Sequence, residues 1–173
     1  FRHRLMPGAV QIGDIGGMNP CFERRGHAAL RRGRSSMSGW CYLVTTVTAD
    51  REPWFSEPQV AAAVAARHRD NALFRDAVLL AWVLMPDHWH GVIRLGDHTS
   101  LSSLMNHFKT STGIDANRVM QRRGRCWARG FHDRALRNDH ELDAAVEYVR
   151  RNPERAGLCV DAGAYRWMGV HGD

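Results

Sequence analysis

The sequence predicts an α+β fold, a ferredoxin-like sandwich with one antiparallel sheet, helices on one face of it, and a further C-terminal helix after the last strand. Three observations favour this fold. Short runs of β-branched and aromatic residues alternate with segments of helical periodicity. Two of these runs are separated only by a Pro-Asp turn, as in a hairpin. No internal repeat or low-complexity linker divides the 173 residues, so we expect one domain.

The beginning of the chain differs in composition from the rest. Residues 1–39 are rich in glycine, arginine and serine and show no sustained periodicity, so we expect a basic N-terminal tail. Residues 40–173 are expected to form the single folded domain. No stretch approaches the roughly 20 apolar residues of a membrane span, and no signal-peptide pattern is found. We therefore expect a cytoplasmic protein with no membrane partner.

In the first half of the domain, the sequence predicts two strands with helical structure between them. Residues 41–48 are β-branched and aromatic, which predicts the first strand. The segment Ser56-Glu57-Pro58-Gln59 predicts a helix start, with serine as the cap and proline in the first turn, for a helix that runs to about Asp70. A turn or second short helix should follow at 72–74. The apolar run 77–85 predicts a strand that is covered on both faces.

In the second half, the sequence predicts a hairpin, two helices and a fourth strand with a weaker sequence signal. Pro86-Asp87 should make a tight turn into the third strand. Residues 126–136 mix apolar side chains with arginine and could form a fourth strand, although their alternation is poor. Asn138 and Glu141 form a capping box for the last helix, which Pro153 is expected to end. Between the hairpin and the fourth strand, a helix begun by Thr99 or Ser100 carries one apolar stripe, formed by Leu101, Leu104, Met105 and Phe108.

The first residues that suggest chemistry form the segment Met85-Pro86-Asp87-His88-Trp89-His90. In an extended strand His88 and His90 project to the same side, about 7 Å apart, and Trp89 projects to the other side. Two neutral imidazoles directed at one point suit a divalent cation. An isolated His-x-His pair is more often two partly exposed histidines, because a metal needs more than two protein ligands.

A second candidate site is a basic segment near the fourth strand. The chain has a net charge of +6 and a pI near 9.8, which favours polyanionic partners. The segment combines arginines with an aromatic residue. Arginine guanidinium groups bind phosphate and aromatic faces stack on unpaired bases, so this combination fits single-stranded nucleic acid. The alternative is a merely solvated face. The predicted DNA-binding residues are Arg118, Arg122, Arg123, Arg125, Trp127, Arg129 and Arg134.

The last predicted helix presents a tyrosine at the edge of its apolar stripe. Leu142, Val146 and Val149 should face the sheet, and Tyr148 and Asn152, four residues apart, lie on the flank of that stripe. Most helix-flank tyrosines pack their ring and leave the hydroxyl in water, so the position alone does not indicate a nucleophile.

Together the two motifs resemble the HUH single-tyrosine transposases, in the form typical of the REP-associated tyrosine transposases. The histidine segment is similar to their metal motif, and Glu147–Leu158 is similar to the helix that carries their nucleophilic tyrosine, including its Asn-Pro pair. The similarity extends from about His27 to Trp167, through the segments 27–34, 42–48 and 126–134. Trp89 departs from the family, in which smaller aliphatic residues are commoner between the histidines.

The resemblance implies a metal-dependent enzyme that nicks single-stranded DNA and transfers strands through a 5′-phosphotyrosine intermediate. Imperfect hairpins of repetitive extragenic palindromes (REP elements) are the implied substrates. Tyr148 would be the nucleophile, and His88 and His90 would bind Mg²⁺ or Mn²⁺. Asn152 is either the third metal ligand or only a helix cap before Pro153. We expect a monomer or homodimer, associated with the nucleoid.

Three other functions share part of this evidence. A replication initiator or relaxase uses the same metal and tyrosine chemistry but usually in larger, multidomain chains. A non-catalytic ferredoxin-like module that binds RNA or DNA would need only the basic segment. A metal-dependent hydrolase would use water in place of the tyrosine.

Overall fold

A five-stranded antiparallel sheet forms the centre of the domain in a computed structural model that describes residues 36–171. The strand order is β4-β1-β3-β2-β5. The strands are β1 (Cys41–Val47), β2 (Val78–Met85), β3 (His88–Arg94), β4 (His132–Leu136) and β5 (Met168–Val170). The helices are α1 (Pro58–Ala66), α2 (Asn71–Phe74), α3 (Leu101–Val119) and α4 (Asp139–Arg155). The predicted α+β sandwich with an antiparallel sheet is thereby confirmed.

The two faces of the sheet carry separate cores, as the alternation of side chains along a strand requires. Trp89 and Ile93 of β3 pack against the core shared with α1 and α3. Val92, from the opposite face of the same strand, packs with Val146 and Val149 of α4. The C-terminal helix thus covers the face that the other two long helices leave open.

Most of the predicted N-terminal tail lies outside the described residues, as does the family-like segment 27–34. Residues 36–39 contact the domain. Ser36 Oγ accepts a hydrogen bond from Leu101 N at 2.8 Å, and Gly39 N donates to Leu95 O at 2.9 Å. Within residues 36–171, no helix is long and apolar enough to cross a membrane.

The start of α1 differs from the prediction. Ser56 belongs to a short 3₁₀ turn, Trp54–Ser56, and the N-cap is Glu57, whose side chain makes no capping hydrogen bond. The predicted serine cap is therefore wrong by one residue. Proline still occupies the first turn, where its missing N–H costs little. A 3₁₀ turn, Arg67–Arg69, carries the helical path to the predicted end.

Both ends of α4 follow from specific caps. Asn138 accepts a hydrogen bond from Glu141 N at 2.8 Å, as predicted. The prediction that Pro153 ends the helix is wrong, because α4 continues through it to Arg155. The end is set instead by Gly157, whose φ is 69° and whose N–H, like that of Leu158, bonds back to the last turn. Proline so close to the end removes a single helical hydrogen bond, which the chain tolerates.

Two further predictions hold in part. Ser100 caps α3 by accepting a hydrogen bond from Ser103 N at 3.2 Å, as predicted. The fourth strand is shorter than residues 126–136, because Trp127 forms an isolated bridge with Thr48 and only the last five residues of that range pair with β1. The three-residue edge strand β5 is too short to show a periodicity and was not predicted.

Trp89 is held in place by two neighbours on the α1/α3 face. It is fully buried, and its Nε1 donates a hydrogen bond to His68 Nε2 at 2.8 Å. The His68 ring stacks on Trp82 with 3.8 Å between ring centroids. Gly91, two residues along β3, leaves the space for the indole, since a Cβ built there would overlap the ring. Gly91 and His68 thus accommodate the large residue between the two histidines.

We expect Gly91→Ala to lower the free energy of unfolding by about 1–3 kcal/mol, because the added methyl group displaces the Trp89 ring. Thermal and chemical denaturation measure the loss. In a Trp89→Val background the same substitution should cost little. Gly113→Ala, in a part of α3 where a Cβ meets only ordinary contacts, serves as the control and should be neutral or stabilising. An equal cost of Gly91→Ala in both backgrounds would contradict the explanation.

His68 should make stability depend on pH. Burial lowers the pKa of His68 to about 3, whereas an unfolded histidine titrates near 6.5. Between these values only the unfolded chain takes up the proton, so this contribution to stability falls as the pH drops from about 6.5 to about 3, by roughly 1.4 kcal/mol per pH unit. His68→Gln, whose amide oxygen can accept the Trp89 N–H, should reduce the slope of stability against pH by this amount in denaturation series at pH 7.5, 6 and 5, and the contribution of His90, whose pKa burial lowers to about 4, should remain. An unchanged slope would show that His68 is not its source.

Candidate functional site

Strand β3 brings His88 and His90 to the sheet face that α4 covers. They pair in the register with Val47 and Thr45 of β1, and their ring centroids are 4.8 Å apart. The two imidazoles therefore lie side by side, in the arrangement expected from the period of a strand.

Each imidazole uses its Nδ1 in a contact with the surrounding protein. His88 Nδ1 lies 2.5 Å from Asp87 Oδ1, and His90 Nδ1 lies 2.7 Å from Thr45 Oγ1. Neither Nε2 atom bonds to another described residue. Burial, with a smaller effect of the neighbouring His88, lowers the pKa of His90 to about 4. That ring is therefore neutral at physiological pH, which is the state that metal coordination requires.

Tyr148 meets this pair from α4. Its ring lies 5.4 Å from that of His90 between centroids, at 74°. The guanidinium of Arg155, nearly two turns further along, lies 5.6 Å from the ring centroid of Tyr148 on the same helix. The phenol hydroxyl makes no hydrogen bond to another described residue. Tyr148 is thus in ring contact with His90, one member of the histidine pair.

The other two tyrosines have their hydroxyls engaged in the structure. Tyr42 is buried, and its hydroxyl accepts a hydrogen bond from Met37 N at 2.9 Å. Tyr165 donates to Leu84 O at 2.9 Å, and burial raises its pKa to about 12. Burial and an engaged hydroxyl both make these phenols poor nucleophiles. The Tyr148 hydroxyl, in contrast, makes no hydrogen bond to another described residue.

Asn152 lies one turn beyond Tyr148 and is 9% exposed. The alternative that it caps the helix does not fit, because α4 continues past it and its C-cap is Ala156. A buried amide on the helix that covers the face of His88 and His90 can supply a ligand oxygen. Within residues 36–171, no cluster of three His, Cys, Asp or Glu side chains could hold a metal. Two histidines would therefore need an amide, water or DNA to complete a coordination shell.

The basic segment, residues 118–134, reaches the same end of the sheet. Ala128 N donates to Val47 O at 2.9 Å, and Val47 pairs with His88. Lys109 of α3 fastens the segment from its other side, through hydrogen bonds from Nζ to Ala128 O at 2.5 Å and to Gly130 O at 2.7 Å. The loop that carries the arginines is thus attached close to the histidine pair.

The predicted DNA-binding residues fall into three groups. Trp127 is 3% exposed and donates a hydrogen bond to Thr112, so the prediction that it stacks on a base is wrong. Arg122 is partly buried and its guanidinium lies 4.0 Å from the centroid of the Trp54 ring. The remaining side chains are exposed, namely Arg118, Arg123, Arg125, Arg129 and Arg134.

A polar groove runs between α3 and this segment. Its volume is about 420 Å³, and Lys109, Asn117, Arg125 and Arg129 are among its lining residues. The charge and size of the groove suit a phosphate or a nucleotide rather than an apolar ligand.

Two residues that contact the histidines, Asp87 and Thr45, are not among the site residues that the sequence predicts. The sequence pattern indicates only a turn for Asp87, although it directly precedes His88. Thr45 lies on another strand, and which residue of β1 meets His90 depends on a register that single-sequence patterns do not give.

Comparisons with known proteins bear on the family and the fold. A family model described as IS200-like transposase matches residues 36–152. The fold is similar to that of a REP-associated tyrosine transposase bound to a REP hairpin, with a TM-score of 0.62, 19% identity and 79% of each chain covered. It is also similar to a Deinococcus radiodurans R1 protein assigned as a transposase, with a TM-score of 0.50, 17% identity, and 69% of this chain and 95% of that chain covered. None of the curated proteins matches the chain.

Proposed function

The chain belongs to the IS200-like transposase family, and from this membership we propose that it cuts and rejoins single-stranded hairpin DNA through a 5′-phosphotyrosine intermediate at Tyr148. The observation that carries the proposal is the ring contact between Tyr148 and His90, at 5.4 Å between centroids. It brings the only tyrosine whose hydroxyl bonds to no described residue next to two imidazoles with available nitrogens.

The proposed reaction is a transfer between oxygen atoms on phosphorus. The Tyr148 oxygen attacks the scissile phosphorus and the bond to the 3′ oxygen breaks, while the phenol proton is passed to water and the departing 3′ oxygen takes one up, which leaves a free 3′-hydroxyl. The phosphotyrosine bond keeps the energy of the phosphodiester, so another 3′-hydroxyl can attack it and release the tyrosine without ATP. The contribution of α4 to this step is to hold the phenol beside His90, since phosphoryl transfer depends chiefly on the positioning of the attacking group.

A divalent cation fits the histidine pair as a partial site. His88 and His90 would bind it through Nε2, and Asn152 would add an oxygen, with water or DNA completing the shell. When bound, Mg²⁺ or Mn²⁺ would polarise the scissile phosphate and neutralise its developing charge. The neutral state of His90 keeps one of these nitrogens available.

The exposed arginines and the similar fold support the proposed substrate class. The solved structure of similar fold holds a REP hairpin, and the basic segment of this chain is attached beside the histidine pair. We propose that Arg118, Arg123, Arg125, Arg129 and Arg134 hold the DNA backbone while the unpaired strand enters the site. The non-catalytic module is disfavoured, because transposition requires DNA cleavage.

Incubation with labelled hairpin single strands and Mn²⁺ should give a covalent adduct that survives denaturation. Tyr148→Phe should abolish the adduct and the cleavage while DNA affinity stays within about twofold, because one oxygen is lost and almost no packing surface. Tyr165→Phe is the matched control and should still form the adduct. Undiminished cleavage by Tyr148→Phe would exclude the proposed nucleophile.

Asn152→Ala should raise the Mn²⁺ concentration needed for half-maximal cleavage by roughly 10-fold or more. Metal titrations of cleavage and a parallel thermal denaturation separate this effect from a structural one. A large drop in melting temperature with an unchanged metal requirement would instead assign Asn152 to the packing of α4.

DNA affinity should fall steeply with salt, because each arginine that neutralises a phosphate releases counterions. Replacing Arg123, Arg125 and Arg129 together with glutamine should reduce the slope of log affinity against log salt by about 2, at roughly 0.7 per contact on single strands. Arg69→Gln, an exposed arginine near α1, is the control and should leave the slope unchanged. Equal slopes for the triple variant and the wild-type protein would show that these arginines do not neutralise phosphates and only form a solvated face.

A further inference from the structure

The two histidines differ in the partner that each Nδ1 contacts. His90 meets the neutral hydroxyl of Thr45, whereas His88 meets the carboxylate of Asp87 at 2.5 Å. An ionised carboxylate only accepts hydrogen bonds, so the proton of a neutral His88 must lie on Nδ1. That assignment leaves the lone pair on Nε2. A histidine with an anionic partner on its second nitrogen is also the stronger donor to a cation.

Asp87 is itself fixed at several points. Its second carboxylate oxygen accepts a hydrogen bond from Arg51 at 3.2 Å. Its backbone carbonyl accepts one from Thr48 N at 2.8 Å, and the Thr48 hydroxyl lies 3.0 Å from the same oxygen. Thr48 is fully buried, so the end of β1 holds the turn that carries Asp87.

The residue that binds the far side of Asp87 sits on strained backbone. Asp50 and Arg51 both have positive φ, at 56° and 58°. Non-glycine residues in the left-handed region cost free energy and persist only where the surroundings impose them. The Arg51–Asp87 pair is largely exposed on the arginine side, and an exposed ion pair contributes little stability. Stability alone therefore gives a weak reason for this arrangement.

We propose that Asp87 is a positioning residue, which holds His88 as the Nδ1–H tautomer and directs its Nε2 toward the divalent cation, with Arg51 holding the carboxylate in place. The proposal rests on the proposed function for the identity of the ligand that Nε2 meets. The tautomer of His88 does not depend on it.

The tautomer can be measured on the 173-residue chain without metal. Long-range ¹H–¹⁵N correlation spectra of ¹⁵N-histidine protein at pH 8 report which ring nitrogen is protonated, and a His88→Gln variant assigns the signal. The wild-type protein should show His88 as Nδ1–H. Asp87→Ala should move it toward Nε2–H, whereas Asp87→Asn, whose amide oxygen still accepts, should keep it.

Titration with Mn²⁺ alone, followed by electron paramagnetic resonance, gives the second readout. Asp87→Ala should raise the Mn²⁺ Kd about 10-fold or more, and Asp87→Asn should raise it less. Asp50→Asn removes the same charge three residues beyond the end of β1 and tolerates positive φ, so it is the matched control and should change neither readout. Thermal denaturation of each variant confirms that the fold is retained.

The outcomes separate this proposal from the function on which it rests. An Nε2–H signal for His88 in the wild-type protein, or an unchanged tautomer in Asp87→Ala, would overturn the proposal and leave the metal site intact. An equal rise in Kd for Asp50→Asn and Asp87→Ala would also overturn it, because charge alone would then explain the effect. If the Mn²⁺ Kd of His88→Gln equals that of the wild-type protein, the proposed metal site is wrong. The proposed role of Asp87 toward the cation is then wrong too.

Discussion

The burial of Trp89 is the constraint on which the histidine pair depends. Because side chains alternate along β3, an indole fixed in the α1/α3 core forces its two neighbours onto the opposite face. The hydrogen bond from Trp89 to His68 and the space above Gly91 make that register specific. A slip by one residue would turn both histidines into the apolar α1/α3 core and the indole toward α4, so the packing of one face determines the chemistry available on the other.

The position of Tyr148 follows from the second core. Val146 and Val149 of α4 pack with Val83 and Val92 of the sheet, which fixes the rotation of the helix about its axis. A tyrosine on the flank of that apolar stripe is then held against His90 rather than in solvent. Both contacts are made by side chains of the chain itself, which preorganises the phenol beside the imidazole. Such preorganisation reduces what binding must contribute to the reaction.

Local patterns predicted the elements that local physics controls. The alternation around Trp89, the Asn138 cap and the apolar stripe of α4 all depend on neighbours within a few residues, and the structure confirms them. The wrong or missing predictions concern contacts that residues distant in the sequence determine. The position of Trp127 among arginines predicts a residue that stacks on bases. In the structure it is buried by packing against α3 and by its hydrogen bond to Thr112. The contact between Thr45 and His90 depends on strand register, which the sequence alone leaves open.

The most direct test of the account is the location of the covalent bond to DNA. The adduct formed with a hairpin single strand can be digested with protease and nuclease and sequenced by tandem mass spectrometry. The account predicts a nucleotide linked through its 5′-phosphate to the peptide that contains Tyr148, out of the three tyrosines in the chain. A nucleotide on Tyr42 or Tyr165, a linkage through a 3′-phosphate, or cleavage without any linked peptide would contradict it.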